Sequence, residues 1–179
     1  RPPSPVRPDT HFVDQVAALA HLSAHTTTLR LGTGILILPQ RNPVVLAKEL
    51  ASIDVLSGGR LEAGFGVGYV PGEFDAVGVP FAQRGARMDD HIDALRAIWR
   101  GDPEFEGRFT SWHGVEAHPR PVGPDGPPIH VGGGSSATFR RAVLRGNGWY
   151  GFLTTLDSTR SAIEAMDRGL ADLDRPPHL

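Results

Sequence analysis

Strand-like and helix-like stretches alternate along this chain, and that alternation predicts a parallel α/β fold. Two further observations point the same way. Glycines and other small residues gather where each strand would end. Leu31, Ile35, Leu36, Ile37 and Leu38 form a near-continuous apolar run, as expected of a parallel strand covered on both faces. Four strand–helix units follow one leading helix, which fits either an open doubly wound sheet or a (β/α)8 barrel. A complete barrel takes about 250 residues, so four units with loose ends read as the middle of one.

The opening RPPSPVRP is Pro-rich, carries no core pattern and reads as an extended loop or tail. Because the chain begins with Arg1, it is expected to start inside a larger fold. Asp9 or Thr10 can cap a first helix with Phe12, Val16, Leu19 and Ala20 on one face. Residues 29–38 form the first strand. Asn42 then caps a helix that has Pro43 at its first position, where a missing amide donor costs nothing. Leu46, Leu50 and Ile53 face the core, and Ser57-Gly58-Gly59 ends the helix.

Residues 60–69 form the next strand, with Gly64, Gly66 and Gly68 alternating onto one face, so that something approaches the backbone closely there. Residues 70–81 read as a loop. A long helix over about 84–99 turns Met88, Ile92, Leu95 and Trp99 inward. Residues 101–128, rich in Pro, Gly and aromatics, read as a surface excursion. Ile129, His130 and Val131 form a short strand, and the helix after it carries Phe139, Ala142 and Val143 inward. Residues 147–152 form a last strand. Asp157 or Ser158 caps a last helix with Ile163, Met166, Leu170 and Leu173 in register, and residues 175–179 stop short of any further strand.

With 179 residues, 40% of them hydrophobic, the chain can bury one sizeable core. A formal net charge of −2 gives no reason to propose nucleic acid or a membrane surface as partner. The absence of cysteine excludes disulfides, cysteine metal sites and a thiol nucleophile. No apolar run approaches the roughly 20 residues of a membrane span, and no signal-peptide pattern opens the chain. A soluble cytoplasmic protein is the expectation.

The run Gly64-Phe-Gly-Val-Gly-Tyr69 lacks the spacing of a dinucleotide fingerprint, and Val70-Pro71 stands where a helix would have to start. Gly132 to Ser136 is the better phosphate candidate, since a strand delivers glycines and two hydroxyls to a helix N-terminus. The same residues also fit an ordinary turn with serine as N-cap. Arg140 and Arg141 read as solvated, as does His91 within Asp89-Asp90-His91. Among the eight histidines, His113 and His118 with Glu116 make the only cluster with a metal look. They fall in a Pro-rich loop with no helix or hairpin to fix their geometry, so no metal is expected. No G-x-S-x-G elbow and no paired carboxylates at a strand end occur. That absence points to a cofactor that brings its own chemistry.

The block LRLGTGILILPQRNPVVLAKELASIDVLSGGRLEAGFGVGYVPGEFDAVGVPFAQRGARMDDHIDALRAIW closely resembles the bacterial-luciferase-like oxidoreductases, most of all the branch associated with the deazaflavin coenzyme F420. PPIHVGGGSSATFRRA and RGNGWYGF resemble that family's later strands. The resemblance implies a single domain over residues 1–179 with a luciferase-like (β/α)8 barrel. Only its central four strand–helix units are present, the third to the sixth, without the first two and last two strands. It implies a non-prolyl cis peptide at Gly34-Ile35, where the third strand bulges. Gly32, Thr33, Gly34 and Ile35 would lie beneath a flavin-type ring, Gly66, Gly68 and Tyr69 would follow the ring or ribityl chain, and Gly133, Gly134, Ser135 and Ser136 would bind phosphate.

The cofactor so implied is coenzyme F420 or FMN. The activity is that of an oxidoreductase or monooxygenase acting on a small organic substrate by hydride transfer or oxygen activation, in a homodimer. No catalytic residue is assigned. Two alternatives share the scaffold: a non-catalytic flavin-binding or assembly subunit, and a sugar-phosphate barrel enzyme, for which acid/base residues at the strand ends are lacking.

Overall fold

The structure is a computed structural model that describes residue 7 and residues 9–171. The Pro-rich opening, apart from Arg7, together with Leu173 and residues 175–179, lies outside the described residues.

Helix α1 (Gln15–His25) begins later than Asp9 or Thr10 suggested. Its cap is Asp14, whose Oδ1 accepts from the amides of Val16 at 2.9 Å and Ala17 at 3.3 Å. The other carboxylate oxygen meets Arg41 at 2.7 Å, and that hydrogen bond holds the Asp14 carboxyl below the usual range. Asp14 therefore prevails through a cation donated by a distant loop. Phe12 consequently lies ahead of the helix and is exposed, not on its inner face.

The strand expected over 29–38 is two short pieces, β1 (Leu31–Gly32) and β2 (Leu36–Ile37), both parallel to β3 (Leu61–Gly66). Gly32 pairs with Glu62 and Leu36 with Phe65, so four steps on one strand (32 to 36) match three on the other (62 to 65). One extra residue is accommodated there, which defines a β-bulge. Side chains alternate along a strand, so the extra residue reverses the parity. Leu31 and Leu36 can then both be buried, although five positions separate them.

Strands β6 (Ile129–Gly132) and β7 (Gly148–Tyr150) extend the sheet on the other side of β3, giving the all-parallel order β1/β2–β3–β6–β7. Helices α2 (Pro43–Ser57), α4 (Arg84–Arg100), α5 (Ser136–Arg145) and α6 (Leu156–Ala171) alternate with the strands. Leu61, Ala63, Phe65, Ile129 and Val131 are buried against the helices, packing with Leu46, Leu50, Ile53, Met88, Ile92, Leu95 and Trp99. As expected, Asn42 caps α2 and Gly58 closes it in the left-handed region at φ 68°. The result is a parallel α/β sheet of consecutive strand–helix units, a partial barrel.

Several local expectations are corrected. Residues 70–81 are not all loop: Pro71 starts helix α3 (Pro71–Ala76), and Phe74 on it is fully buried. The excursion 101–128 contains an antiparallel hairpin, β4 (Glu104–Glu106) with β5 (Ser111–His113), and Phe105 stacks on the buried Trp112. His113 is thus held in a hairpin after all, 2.8 Å from Glu106. The last helix is capped by Thr155, which exchanges hydrogen bonds with Ser158, rather than by Asp157 or Ser158. Ile163, assigned to its inner face, is half exposed.

His91 and Arg141 are buried, not solvated. The hairpin and the turn after β2 cover the polar side of α4. Asp90 there accepts the amide of Phe109, and the Nδ1–H of His91 donates to the Leu38 carbonyl at 3.3 Å. Arg141 pairs with Asp89 at 2.6 Å, and one turn on Arg145 pairs with Asp93 at 2.9 Å, joining α5 to α4.

Burial lowers the pKa of His91 below 6.5. The unfolded chain therefore takes up this proton first as pH falls, and the native state loses stability from about pH 6.5 down through the lowered folded pKa. The expected loss is about 1.4 kcal/mol for each pKa unit of displacement. Urea unfolding between pH 7.5 and 5 should show a smaller acid-side loss in His91→Gln than in the parent.

Candidate functional site

The site is organised around the bulge, residues Thr33, Gly34 and Ile35, between the two pieces of the interrupted strand. The Thr33 hydroxyl donates to the Gly64 carbonyl at 2.7 Å and accepts from the Gly64 amide at 2.8 Å. It thereby replaces the ladder bonds that an extra residue disrupts. Gln15 donates from Nε2 to the Ile35 carbonyl at 3.1 Å, tying the same segment to α1. The peptide between Gly34 and Ile35 is cis, as the resemblance implied.

The glycines opposite explain their own spacing. A Cβ on Gly64 would stand 2.0 Å from the Thr33 carbonyl oxygen, and one on Gly66 would stand 2.3 Å from Ile35 Cδ1. Gly132 on β6 would place its Cβ 2.9 Å from Ile35 Cγ2. Ile35 therefore nests between two glycine-bearing strand ends. Gly68, at φ 74°, faces Ile37 and the buried Phe74. What approaches the alternating glycines is in each case a protein side chain or carbonyl of the bulged strand and its flank.

The exposed Gly34 faces β7, where the Tyr150 hydroxyl lies 2.9 Å from the position a Cβ would take. Tyr150 thus closes one side of the bulge. Its neighbour Trp149 donates from Nε1 to the Gly133 carbonyl at 2.6 Å, and the Gly133 amide donates to the Tyr150 carbonyl. Strand β7 in this way fixes the turn that leads into α5. Gly133 sits at φ 129°, a backbone open only to glycine, and Gly134 has open space around it. Ser135 caps the helix, its Oγ accepting from the Thr138 amide at 3.2 Å, while the Ser136 side chain is exposed. The first amides of a helix have no partner within it and attract an anion.

Below this level the same face is polar. Glu62 lies 2.5 Å from His130 Nε2 and pairs with Arg30. A Cβ at Gly148 would fall 2.6 Å from His130 Nδ1, so that glycine makes room for the imidazole.

The structure thus brings Thr33, Gly34, Ile35 and Gly66 into one cluster, with Gly32 on the strand entering it. Gly133, Gly134, Ser135 and Ser136 form a second cluster one strand away. Tyr69 is exposed beyond β3, and the Thr33 hydroxyl is taken up by the sheet. Gln15, Trp149 and Tyr150 also build the site and were not singled out from sequence, and Gly132, read there as part of the phosphate turn, instead makes room for Ile35. The alternation His130, Gly132 on β6 and Gly148, Tyr150 on β7 is the signal that could have placed Gly132 and Tyr150 on the glycine face. Among the described residues, no group of three His, Cys, Asp or Glu side chains is placed to hold a metal ion.

A family model described as luciferase-like monooxygenase matches residues 6–178. An uncharacterised protein of Mycobacterium tuberculosis is 39% identical over 139 residues, which are 77% of this chain and 47% of that protein. The oxygenase component of the flavin-dependent trigonelline monooxygenase of Acinetobacter baylyi is 32% identical over 130 residues, 72% of this chain and 36% of its own. The coenzyme F420-dependent tetrahydromethanopterin reductase of Methanopyrus kandleri superposes with a TM-score of 0.80 at 21% identity, covering 91% of this chain and 51% of that one. The chain spans about half the length of the first of these relatives, or less in the second.

The two glycines facing the bulge should differ in tolerance. Gly64→Ala meets a backbone carbonyl that cannot yield without breaking the Thr33 bonds, so a cost of about 3 kcal/mol or more is expected. Gly66→Ala meets the flexible end of Ile35 and should cost about 1 kcal/mol. Urea midpoints of the two variants check the order.

Proposed function

Because the chain belongs to the luciferase-like monooxygenase family, we propose that it holds coenzyme F420 or FMN in an oxidoreductase acting on a small organic substrate. The observation that carries this reading is the exposed Gly34 backbone at a braced bulge, one strand from a glycine turn that opens a helix. Relatives whose names specify a flavin or F420 support it.

The residues present suit such a group. Gly32, Thr33, Gly34 and Ile35 would support a flat ring from beneath, with the exposed Gly34 backbone bare beside the Tyr150 hydroxyl. Gly66 and Gly68 would keep the neighbouring strand end low, with Tyr69 at the rim. Gly133 and Gly134 would let the phosphate approach the amides at the start of α5, the Ser135 cap would hold that turn in shape, and Ser136 would offer a hydroxyl. When bound, the cofactor supplies hydride transfer or oxygen activation. The chain contributes orientation, anion binding and exclusion of water. In this reading the four units are the third to sixth of the barrel, within one domain.

The homodimer is part of the same proposal. Val45 and Leu56 are exposed about three turns apart on one side of α2, with Leu22 exposed on the adjacent α1. A cytoplasmic setting is consistent with the absence, among the described residues, of any helix long and apolar enough to cross a membrane.

Titration of the purified protein with FMN and with F420, followed by absorbance and then by turnover with a reductant, tests the reading. Saturable binding of one of them is expected, weakened at least tenfold in Gly34→Val. No binding of either would sink the proposal. Binding without turnover would favour the non-catalytic subunit, and unchanged affinity in Gly34→Val would remove the ring from the bulge.

A further inference from the structure

A second cleft, of about 490 Å³, is lined by none of the residues assigned to the cofactor. Its walls come from the turn after β2, the start of α2, the segment after α3, α4 and the tip of the hairpin. The volume is within the range of small-molecule sites. Arg41, Arg87 and His91 line it, and among the described residues no carboxylate side chain does. Arg41 is paired with Asp14, so Arg87 is the lining cation that no carboxylate pairs among the described residues.

His91 is only 3% exposed, yet it lines this cleft. Its Nδ1 faces the Leu38 carbonyl, which can only accept, so Nδ1 carries the proton. In the neutral ring Nε2 is then an acceptor, and it makes no hydrogen bond among the described residues. Burial favours that neutral ring. Arg87 is one turn earlier on α4, on the same side as His91. Its Nε is bonded to Gln83 at 3.2 Å and its guanidinium lies 4.5 Å from the centre of the Phe109 ring, leaving the terminal nitrogens to donate. Val44, Val77, Val79 and Phe109 supply apolar wall.

We propose that this cleft binds a small hydroxycarboxylic acid, its carboxylate on the Arg87 guanidinium, its hydroxyl donating to His91 Nε2, and its short carbon body against the valines and Phe109. A planar guanidinium matches a carboxylate with paired donors. An acceptor that the ligand's hydroxyl satisfies favours that acid over the same acid without it.

L-malate and succinate differ by that hydroxyl and serve as probes. They would be titrated into the intact protein at pH 7.5 by calorimetry, with the His91 ring signals, identified by their loss in His91→Gln, followed by NMR. Malate should bind and shift the His91 signals, and succinate should bind at least about fivefold more weakly, the loss expected when one hydrogen bond to the ligand is missing. Arg87→Gln should weaken malate at least tenfold while leaving FMN or F420 binding unchanged, which separates this site from the cofactor site. Equal affinities for the two acids, unshifted His91 signals, or full malate affinity in Arg87→Gln would each overturn the proposal. A His91→Gln variant that fails to fold leaves the Arg87→Gln arm and the malate–succinate ratio decisive.

Discussion

One extra residue between β1 and β2 is the constraint on which the rest of the sheet depends. It lets Leu31 and Leu36 both be buried, and it turns Ile35 toward β3 and β6. Glycine at 64, 66 and 132 is the counterpart, because a displaced backbone and an isoleucine need space that a Cβ would take. The Thr33 hydroxyl closes the resulting gap in the ladder with two bonds to one residue, Gly64. The site is therefore a packing solution first. Its exposed backbone at Gly34 is what that solution leaves over for a ligand.

The elements that position the site could be read from sequence wherever local chemistry decides them. Asn42-Pro43 starts α2, Ser57-Gly58-Gly59 ends it, and Leu46, Leu50 and Ile53 lie where helical spacing puts them. The bulge and its cis peptide were legible only through the resemblance, since nothing in the local pattern of residues 31–38 marks which residue is the extra one. Gly64, Gly66 and Gly68 announced a close approach, but the alternation could not say by what.

The remaining residues depended on distant parts of the chain. Asp14 outcompetes earlier caps because Arg41 reaches it, and His91 is buried because residues 101–128 fold back as a hairpin over α4. A helix face that reads as polar is solvated only if nothing covers it. In this fold Asp89, Asp90, His91 and Asp93 each find a partner from another element, which the spacing along α4 alone could not reveal. Tyr150 escaped notice for a related reason. A strand of three residues shows too little alternation to tell its two faces apart until its neighbour's register is known.

The two arginine–aspartate pairs between α4 and α5 repeat at intervals of four residues on both helices. A slide of one helix along the other by one turn, about 6 Å at the helical rise, would therefore still leave one pair in place. The charges attract the helices without specifying how far along they stop. That decision falls to packing of buried side chains such as Ala142, whose fit in the core is lost at any other setting. The pair behaves as a ruler whose marks are electrostatic and whose zero is set by shape.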